Sequence, residues 1–418
     1  MPRFAHISDC HLGAWRDKTL RALNLNAFMR AMDACVEKNV DFILICGDLF
    51  DKNIPDLDIV EQSASKMRDV RNKGIEIYVI YGSHDYSPAA TSIIDVLHSS
   101  GLFTKIMDVE EERVTDKIGL RFLEDKKTGA KIAGISGRRA SLEKYYYEIL
   151  DRESLEKEAG FKIFAFHIGV NELMSGKMHT DECIPVSFFP RNFDYYAGGH
   201  IHSRTERNES GYGLFVYPGT TFGWNYNDLE NTANGEQRGF FIVDFDTRVR
   251  NIEFVGTMEN NVKLFDIDAD NETADYLKNL LQKTADENNF ENCIALVKLK
   301  GVLSAGSQSE IDMQPMRDKL YAKGAVNVFI NRNALSSKEF SEIKIKADDR
   351  ETVEERIFKE QIGMCNGYAT NSLKGAEGVE TAKAVLNVMK DAKKDNETKG
   401  DYTDRVVAKV SQIMKVKI

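Results

Sequence analysis

The sequence has six cysteines, Cys10, Cys35, Cys46, Cys183, Cys293 and Cys365, and no two of them stand in Cys-x-x-Cys spacing. Neither a zinc finger nor a disulfide framework is supported. No apolar run approaches the ~18 residues of a membrane span. The chain enters a strand at once, with Pro2-Arg3-Phe4-Ala5-His6-Ile7, which leaves no room for a signal peptide; a cytoplasmic protein without membrane contact is expected. There is no excess of basic charge either. Lys and Arg number 56 against 66 Asp and Glu, a net charge of −10 that gives no electrostatic preference for nucleic acid. A metal site can hold phosphate by itself, so a phosphodiester substrate stays open. No internal repeat is found. What remains is an ordinary globular composition over 418 residues, 42% hydrophobic and 29% charged, enough for two or three domains.

The stretch Asp41 to Phe50 organises the rest. Its apolar run Phe42 to Cys46 has no polar alternation and reads as a strand buried on both faces. Gly47 breaks the run and Asp48 follows, at the strand end where open α/β sheets place their ligands. Four other strand-like runs end in the same way: at Asp9-Cys10-His11, at Gly82-Ser83-His84-Asp85, at His167 and at Gly199-His200-Ile201-His202. Only eight histidines exist, and five of them stand at these junctions. One histidine at a strand end is most simply a satisfied imidazole; five together point to a metal centre.

Periodicity and cap residues predict strand 3–8, helix 22–38 and strand 41–46, a βαβ unit, then helix 56–73, strand 75–81 and helix 90–100. Turn-rich short strands fill 103–136. A charged helix over 141–159 leads to strand 161–166, and strands at 195–198, 214–217 and 239–245 complete a layered α/β domain over 1–255. Residues 256–346 alternate strands with helices 273–288 and 310–323 and form a small α+β domain. From 347 to 418 the chain turns helical and charged, with amphipathic stretches at 350–362, 376–394 and 401–416.

A histidine-rich set with hard oxygens suits manganese, iron or zinc better than calcium. Asp48 has two carboxylate oxygens and is placed to bridge two cations. Two such ions ~3.5–4 Å apart clamp the attacking and leaving oxygens of a phosphoryl displacement. Asp9 and His11 stand two apart, as do His200 and His202, so each pair projects from an extended segment toward one pocket.

Asp9-x-His11, Gly47-Asp48-x-x-Asp51, Gly82-x-His84-Asp85, His167 and Gly199-His200-x-His202 resemble, in order and spacing, the five motifs of the calcineurin-like metallophosphoesterase superfamily. Leu12-Gly13, Leu49-Phe50, Tyr195-Tyr196-Ala197 and Tyr217-Pro218-Gly219-Thr220 are similar to the SbcD-like nucleases of double-strand-break repair in their archaeal form. The resemblance implies an α/β sandwich of two sheets flanked by helices, with the α+β domain capping the site and orienting DNA. It implies one divalent ion, most simply Mn2+, on Asp9, His11, Asp48 and His202, and a second on Asp48, Ser83, His167 and His200. His84, paired with Asp85, would act at the leaving oxygen. It further implies a homodimer through helices 56–73 and 90–100, and an SbcC-like SMC-type ATPase docked on the C-terminal helices.

Ser83 departs from the family, which usually has Asn there; a hydroxyl is a poorer neutral ligand than an amide carbonyl. Asp51 is a position that varies among relatives. Arg138-Arg139, Arg204 and Arg207 can touch phosphates and Tyr145-Tyr146-Tyr147 can stack on bases, against the plainer readings of solvated charge and helix packing. Three function classes follow: a metal-dependent DNA nuclease, a phosphoesterase for small nucleotides or phosphoproteins, and a binding subunit with a degraded site, the last raised only by Ser83.

Overall fold

The structure is a computed structural model. It describes the chain except residues 88–90, 107–116, 175–182, 338–353, 356, 360–361, 363–374, 395–396 and 415–418. Cys365 and most of the helix expected at 350–362 lie outside the described residues.

β1 (Arg3–Ile7), α1 (Lys18–Glu37), β2 (Phe42–Cys46), α2 (Leu57–Asn72), β3 (Glu76–Ile80) and α3 (Ile93–Ser99) follow the expected order, then β4 (Thr104–Lys105), β5 (Leu123–Glu124) and β6 (Lys131–Ile135). α1 starts four residues before the predicted helix because the Asp17 side chain caps it, accepting the Leu20 N–H at 3.0 Å. The single helix expected at 141–159 is instead two short ones, α4 (Lys144–Glu148) and α5 (Arg152–Lys157). Leu150 bridges Ile118 and is drawn into the core between them, and Asp151 then caps the second piece. Next come β7 (Lys162–His167), the short pair β8 (Gly169–Val170) and β9 (Cys183–Ile184), β10 (Tyr195–Gly199), β11 (Thr205–Asn208) and β12 (Leu214–Tyr217). A helix that the sequence reading passed over, α6 (Tyr226–Ala233), precedes β13 (Gly239–Phe245) and β14 (Val249–Gly256).

Two six-stranded sheets form, in the orders β14-β13-β1-β2-β3-β4 and β11-β12-β10-β7-β6-β5. Strand β2 shows why its run is unbroken. Ile43 and Ile45 pack with Phe28, Met32 and Met67 under α1 and α2, while Phe42, Leu44 and Cys46 face Ile163, Tyr195 and Ala197 of the other sheet. Both faces are covered, so no position can be polar. Phe4 and Phe42 stack across the β1–β2 register with centroids 5.1 Å apart. A third cluster, with Phe164, Phe166, Tyr196 and Phe215, covers the outer face of the second sheet. The architecture is therefore two sheets flanked by helices, as expected.

The apolar stripe of α2, Ile59, Ser63, Met67 and Val70, and Ile94 and Leu97 of α3 are buried in their own domain. These residues do not supply a dimer face, because the sheet already covers them. Among the described residues, the large outward apolar side chains in and beside these helices are Ile54, Leu57 and Val96.

The chain divides into two compact units, Met1–Val262 and Lys263–Ile418. In the second, β15 (Asn261–Asp268, which begins at the junction), β16 (Cys293–Leu303) and β17 (Ala325–Ser337) form a three-stranded sheet, with α7 (Ala274–Glu287) and α8 (Gln314–Ala322). α8 begins later than expected, with Pro315 in its first turn, a position where a missing N–H costs nothing. Two helices of the tail, α9 (Gly375–Lys390) and α10 (Lys399–Met414), pack on each other. Among the described residues no helix is long and apolar enough to cross a membrane.

Candidate metal centre

Strand register gathers the site. β7 and β10 pair so that His167 lies opposite Gly199, which starts the loop of His200 and His202 one residue beyond. The loops after β1 and β2 stay paired past their strands: the Asp9 N–H donates to Gly47 O at 3.1 Å and the His11 N–H to Asp48 O at 2.9 Å. The two sheets are joined at this edge by His167, whose Nδ1–H donates to the Cys46 carbonyl at 2.8 Å.

Close approach dictates the glycines. A Cβ on Gly82 would stand 2.0 Å from Asp48 Oδ1, and one on Gly47, at φ +85°, would stand 2.3 Å from His167 Nδ1. Asp9, His11, Asp48 and His200 are themselves left-handed, with φ of 50°, 42°, 49° and 85°. Such backbone costs an L-residue ~1–3 kcal/mol at each position and gathers at functional sites.

Asp9, His11 and His202 bring ligand atoms together, as do His11, Asp48 and His84, and Asp9, Asp48 and His167. Asp48 Oδ1 accepts the His84 N–H at 2.8 Å, while Oδ2 lies 3.2 Å from His167 Nε2 and 3.7 Å from His11 Nε2. The Nδ1–H of His202 donates to Asp228 at 2.9 Å, which turns its Nε2 toward His11 Nε2, 3.2 Å away. His200 donates its backbone N–H to Asp9 and sets its ring 5.3 Å from that of His167. Ser83 lines a pocket with His84 and His200.

Divalent ions fit this donor set. With Nδ1 committed to Cys46, the buried His167 Nε2 is left facing the Asp48 carboxylate, 3.2 Å away. Two nitrogens ~2.0–2.1 Å from one ion at tetrahedral to right angles stand ~3 Å apart, close to the His11–His202 separation. The cluster also calls for positive charge. Burial lowers the basicity of His167, but Asp48 and Asp9 outweigh it and push its pKa up to about 10. Burial pushes Asp9 up to about 6, with His167 and His202 pulling the other way. Burial opposes ionisation of Asp48 too, and His167 above all overcomes it and holds the carboxyl well below its ordinary range.

Asp85 is not the partner expected for His84. Fully buried, it accepts the N–H groups of Leu49, Phe50 and Gly82 at 3.2, 3.1 and 3.0 Å, and so ties the Asp48 loop to the His84 loop. His84 instead donates Nδ1–H to the Asp51 carbonyl at 2.8 Å. Several supporting groups were not apparent in the sequence. Trp224 stacks on His11, 5.2 Å between centroids, and donates Nε1–H to Asp51 at 2.7 Å. Asp228 receives the Trp224 N–H as well as His202. The buried Arg238 donates to His202 O, Thr220 and Asp228 O. The cap Asn225-x-x-Asp228 marks the start of α6, but nothing in the sequence links it to a histidine 26 residues upstream.

Residues 2–204 match the family described as calcineurin-like phosphoesterase. The chain is 25% identical over 254 residues to the DNA double-strand break repair protein Mre11 of Methanopyrus kandleri, covering 58% of this chain and 54% of that protein. To the Mre11 of Sulfurisphaera tokodaii it is 22% identical over 386 residues, covering 88% and 90%. To YhaO of Bacillus subtilis, an uncharacterised metallophosphoesterase, it is 31% identical over 194 residues, covering 46% and 43%. The match spans 54% and 63% of the length of the Mre11 proteins of Methanopyrus kandleri and Methanococcus maripaludis. Residues 2–204, which carry the clustered ligand atoms, are thus similar to the calcineurin-like phosphoesterases.

Proposed function

We propose that the protein is a metal-dependent DNA nuclease that hydrolyses phosphodiester bonds at double-strand breaks. The observation that supports it most is the convergence of Asp9, His11, Asp48, His167 and His202 from separate strand ends, in a chain similar to several Mre11 proteins. Two divalent ions, Mn2+ by preference, would be held by Asp9, His11, Asp48 and His202 and by Asp48, Ser83, His167 and His200. When bound they polarise phosphoryl oxygens and lower the pKa of a water for attack on phosphorus. The protein's own groups do the rest. Asp48 presents Oδ2 to both histidines, and Asp228 fixes the His202 tautomer. His84, with Nδ1–H fixed on Asp51 O, has Nε2 for the leaving oxygen. Asp85 holds their two loops in register.

Residues 256–346 orient DNA in this reading, and 347–418 carry the surface for an SbcC-like ATPase. Two copies pair through the outer side of α2 and α3, where Leu57 and Val96 are exposed; light scattering that reads a monomer at high micromolar concentration contradicts that pairing. The test of function is cleavage of linear DNA by the full chain in Mn2+, abolished by chelation. Hydrolysis of nitrophenyl phosphate with no cleavage of DNA supports the small-phosphoester reading instead.

A further inference from the structure

A pocket of about 350 Å³ opens beside the metal-ligand cluster, between Ser83, His84 and His200 on one side and the turn after β6 on the other, where Arg138, Arg139 and Glu143 line it. Its size lies at the lower end of the ~300–1,000 Å³ of small-molecule sites. That suits one nucleotide.

The turn is fixed to the loop of His84. Gly137 donates its N–H to Tyr81 O at 2.9 Å, and Ser136 Oγ accepts the Tyr81 N–H at 3.1 Å, so the end of β6 is tied to the end of β3. Arg138 then locks the turn from within. Its guanidinium lies 4.4 Å from the Tyr146 ring centroid and 5.5 Å from that of Tyr86, and its backbone N–H donates to the buried Glu143 carboxylate at 2.9 Å. Ala140 and Ser141 follow in left-handed backbone, φ 56° and 51°.

This anchoring leaves Arg139, Leu142 and Tyr145 outward. Arg139 is exposed at the pocket wall, and Leu142 and Tyr145 are 62% and 55% exposed. Leu142 stands two residues before α4 and Tyr145 in its first turn, and both are turned to solvent. Of the three adjacent tyrosines, Tyr147 is core and Tyr146 supports Arg138, so only Tyr145 is available to a ligand.

We propose that this turn is a subsite for one unpaired nucleotide next to the scissile bond. Arg139 contacts its phosphate, Tyr145 with Leu142 gives its base a platform, and Arg138 is a positioning residue. Stacking of this kind accepts any base, since every base has a π-face. The inference rests on the nuclease reading and narrows it to strands unpaired at the cut, single strands and frayed ends over blunt duplex.

The test uses the full chain in Mn2+ with three substrates: bis(p-nitrophenyl) phosphate, a single-stranded oligonucleotide and a blunt duplex of the same length. Arg139→Ala and Tyr145→Ala are expected to lose about tenfold or more in kcat/KM on the oligonucleotide relative to their loss on the nitrophenyl ester. Tyr145→Phe, which keeps the ring, restores the ratio. Equal losses on both substrates, or wild-type cleavage of the oligonucleotide by both alanine variants, overturn the subsite, as does wild-type preference for the blunt duplex. Wild-type hydrolysis of the ester with no cleavage of any DNA is a different failure: it removes the nuclease reading, and the subsite with it.

Discussion

Asp48 sits in left-handed backbone with a glycine on each flank of its environment, Gly47 before it and Gly82 against its carboxylate. Asparagine tolerates that backbone, so Asp48→Asn removes the charge and little else. The account expects this variant to lose both metal binding and cleavage. His84→Ala is expected to keep the metal and lose ~10²–10⁴ in rate, the scale of one acid–base group. Asp228→Asn should weaken metal affinity ~10–100-fold, because the His202 ring loses the carboxylate that fixes it. Trp224 gives the readout for all three: its ring stacks on His11, so Mn2+ should quench tryptophan fluorescence, and Trp224→Phe should remove most of the quench. Unchanged quenching in Asp48→Asn contradicts the assignment. At this scale the clustering of Asp9, His11, Asp48, His167 and His202 was legible in the sequence because each stands at or just beyond a strand end. Trp224, Asp228 and Arg238 were not, since each acts on a residue remote in the chain, and Trp224 reaches Asp51 across 173 positions.

Elements were legible where burial on both faces or a cap fixed them, as in β2 and α1. The break in the helix expected at 141–159 was hidden because its cause, the Ile118–Leu150 bridge, comes from a distant segment. α3 shows how a short helix is held. Ser92 donates its N–H to Asp95 at 2.9 Å, and Asp95 also receives Lys105 at 2.8 Å and the Tyr81 hydroxyl. Burial pushes Asp95 upward, but Lys105 and Tyr81 prevail and hold it at about 2. Its ordinary value is 3.8, so the folded state holds this proton less tightly than the unfolded one. The stabilisation is therefore complete above pH 3.8 and lost as pH falls through about 2. The urea midpoint of Asp95→Asn should lie below wild type at pH 6 and converge with it near pH 2. A gap that stays constant with pH would show that Asp95 acts only by its shape.

For the whole molecule, the chain divides into two compact units after Val262, where a boundary at residue 255 was expected; β14, which ends at Gly256, still belongs to the first sheet. The tail carries apolar surface that its hairpin does not cover: Met389 of α9 is 61% exposed and Val407 of α10 is 40% exposed. Deleting residues 372–418 should leave Mn2+-dependent cleavage of single strands intact and abolish association with the ATPase. Hydrogen exchange on the intact chain checks this directly. Tail amides that are strongly protected alone and unchanged by the ATPase would assign the hairpin to the protein's own fold.

The central claim is a pair of divalent ions sharing Asp48, and anomalous diffraction from Mn2+-soaked crystals measures it. The account predicts two peaks ~3.5–4 Å apart, one beside Asp9, His11 and His202, the other beside His167 and His200, with Asp48 touching both. No peak at these residues, or a single peak that leaves His167 and His200 without metal at saturating Mn2+, would contradict it.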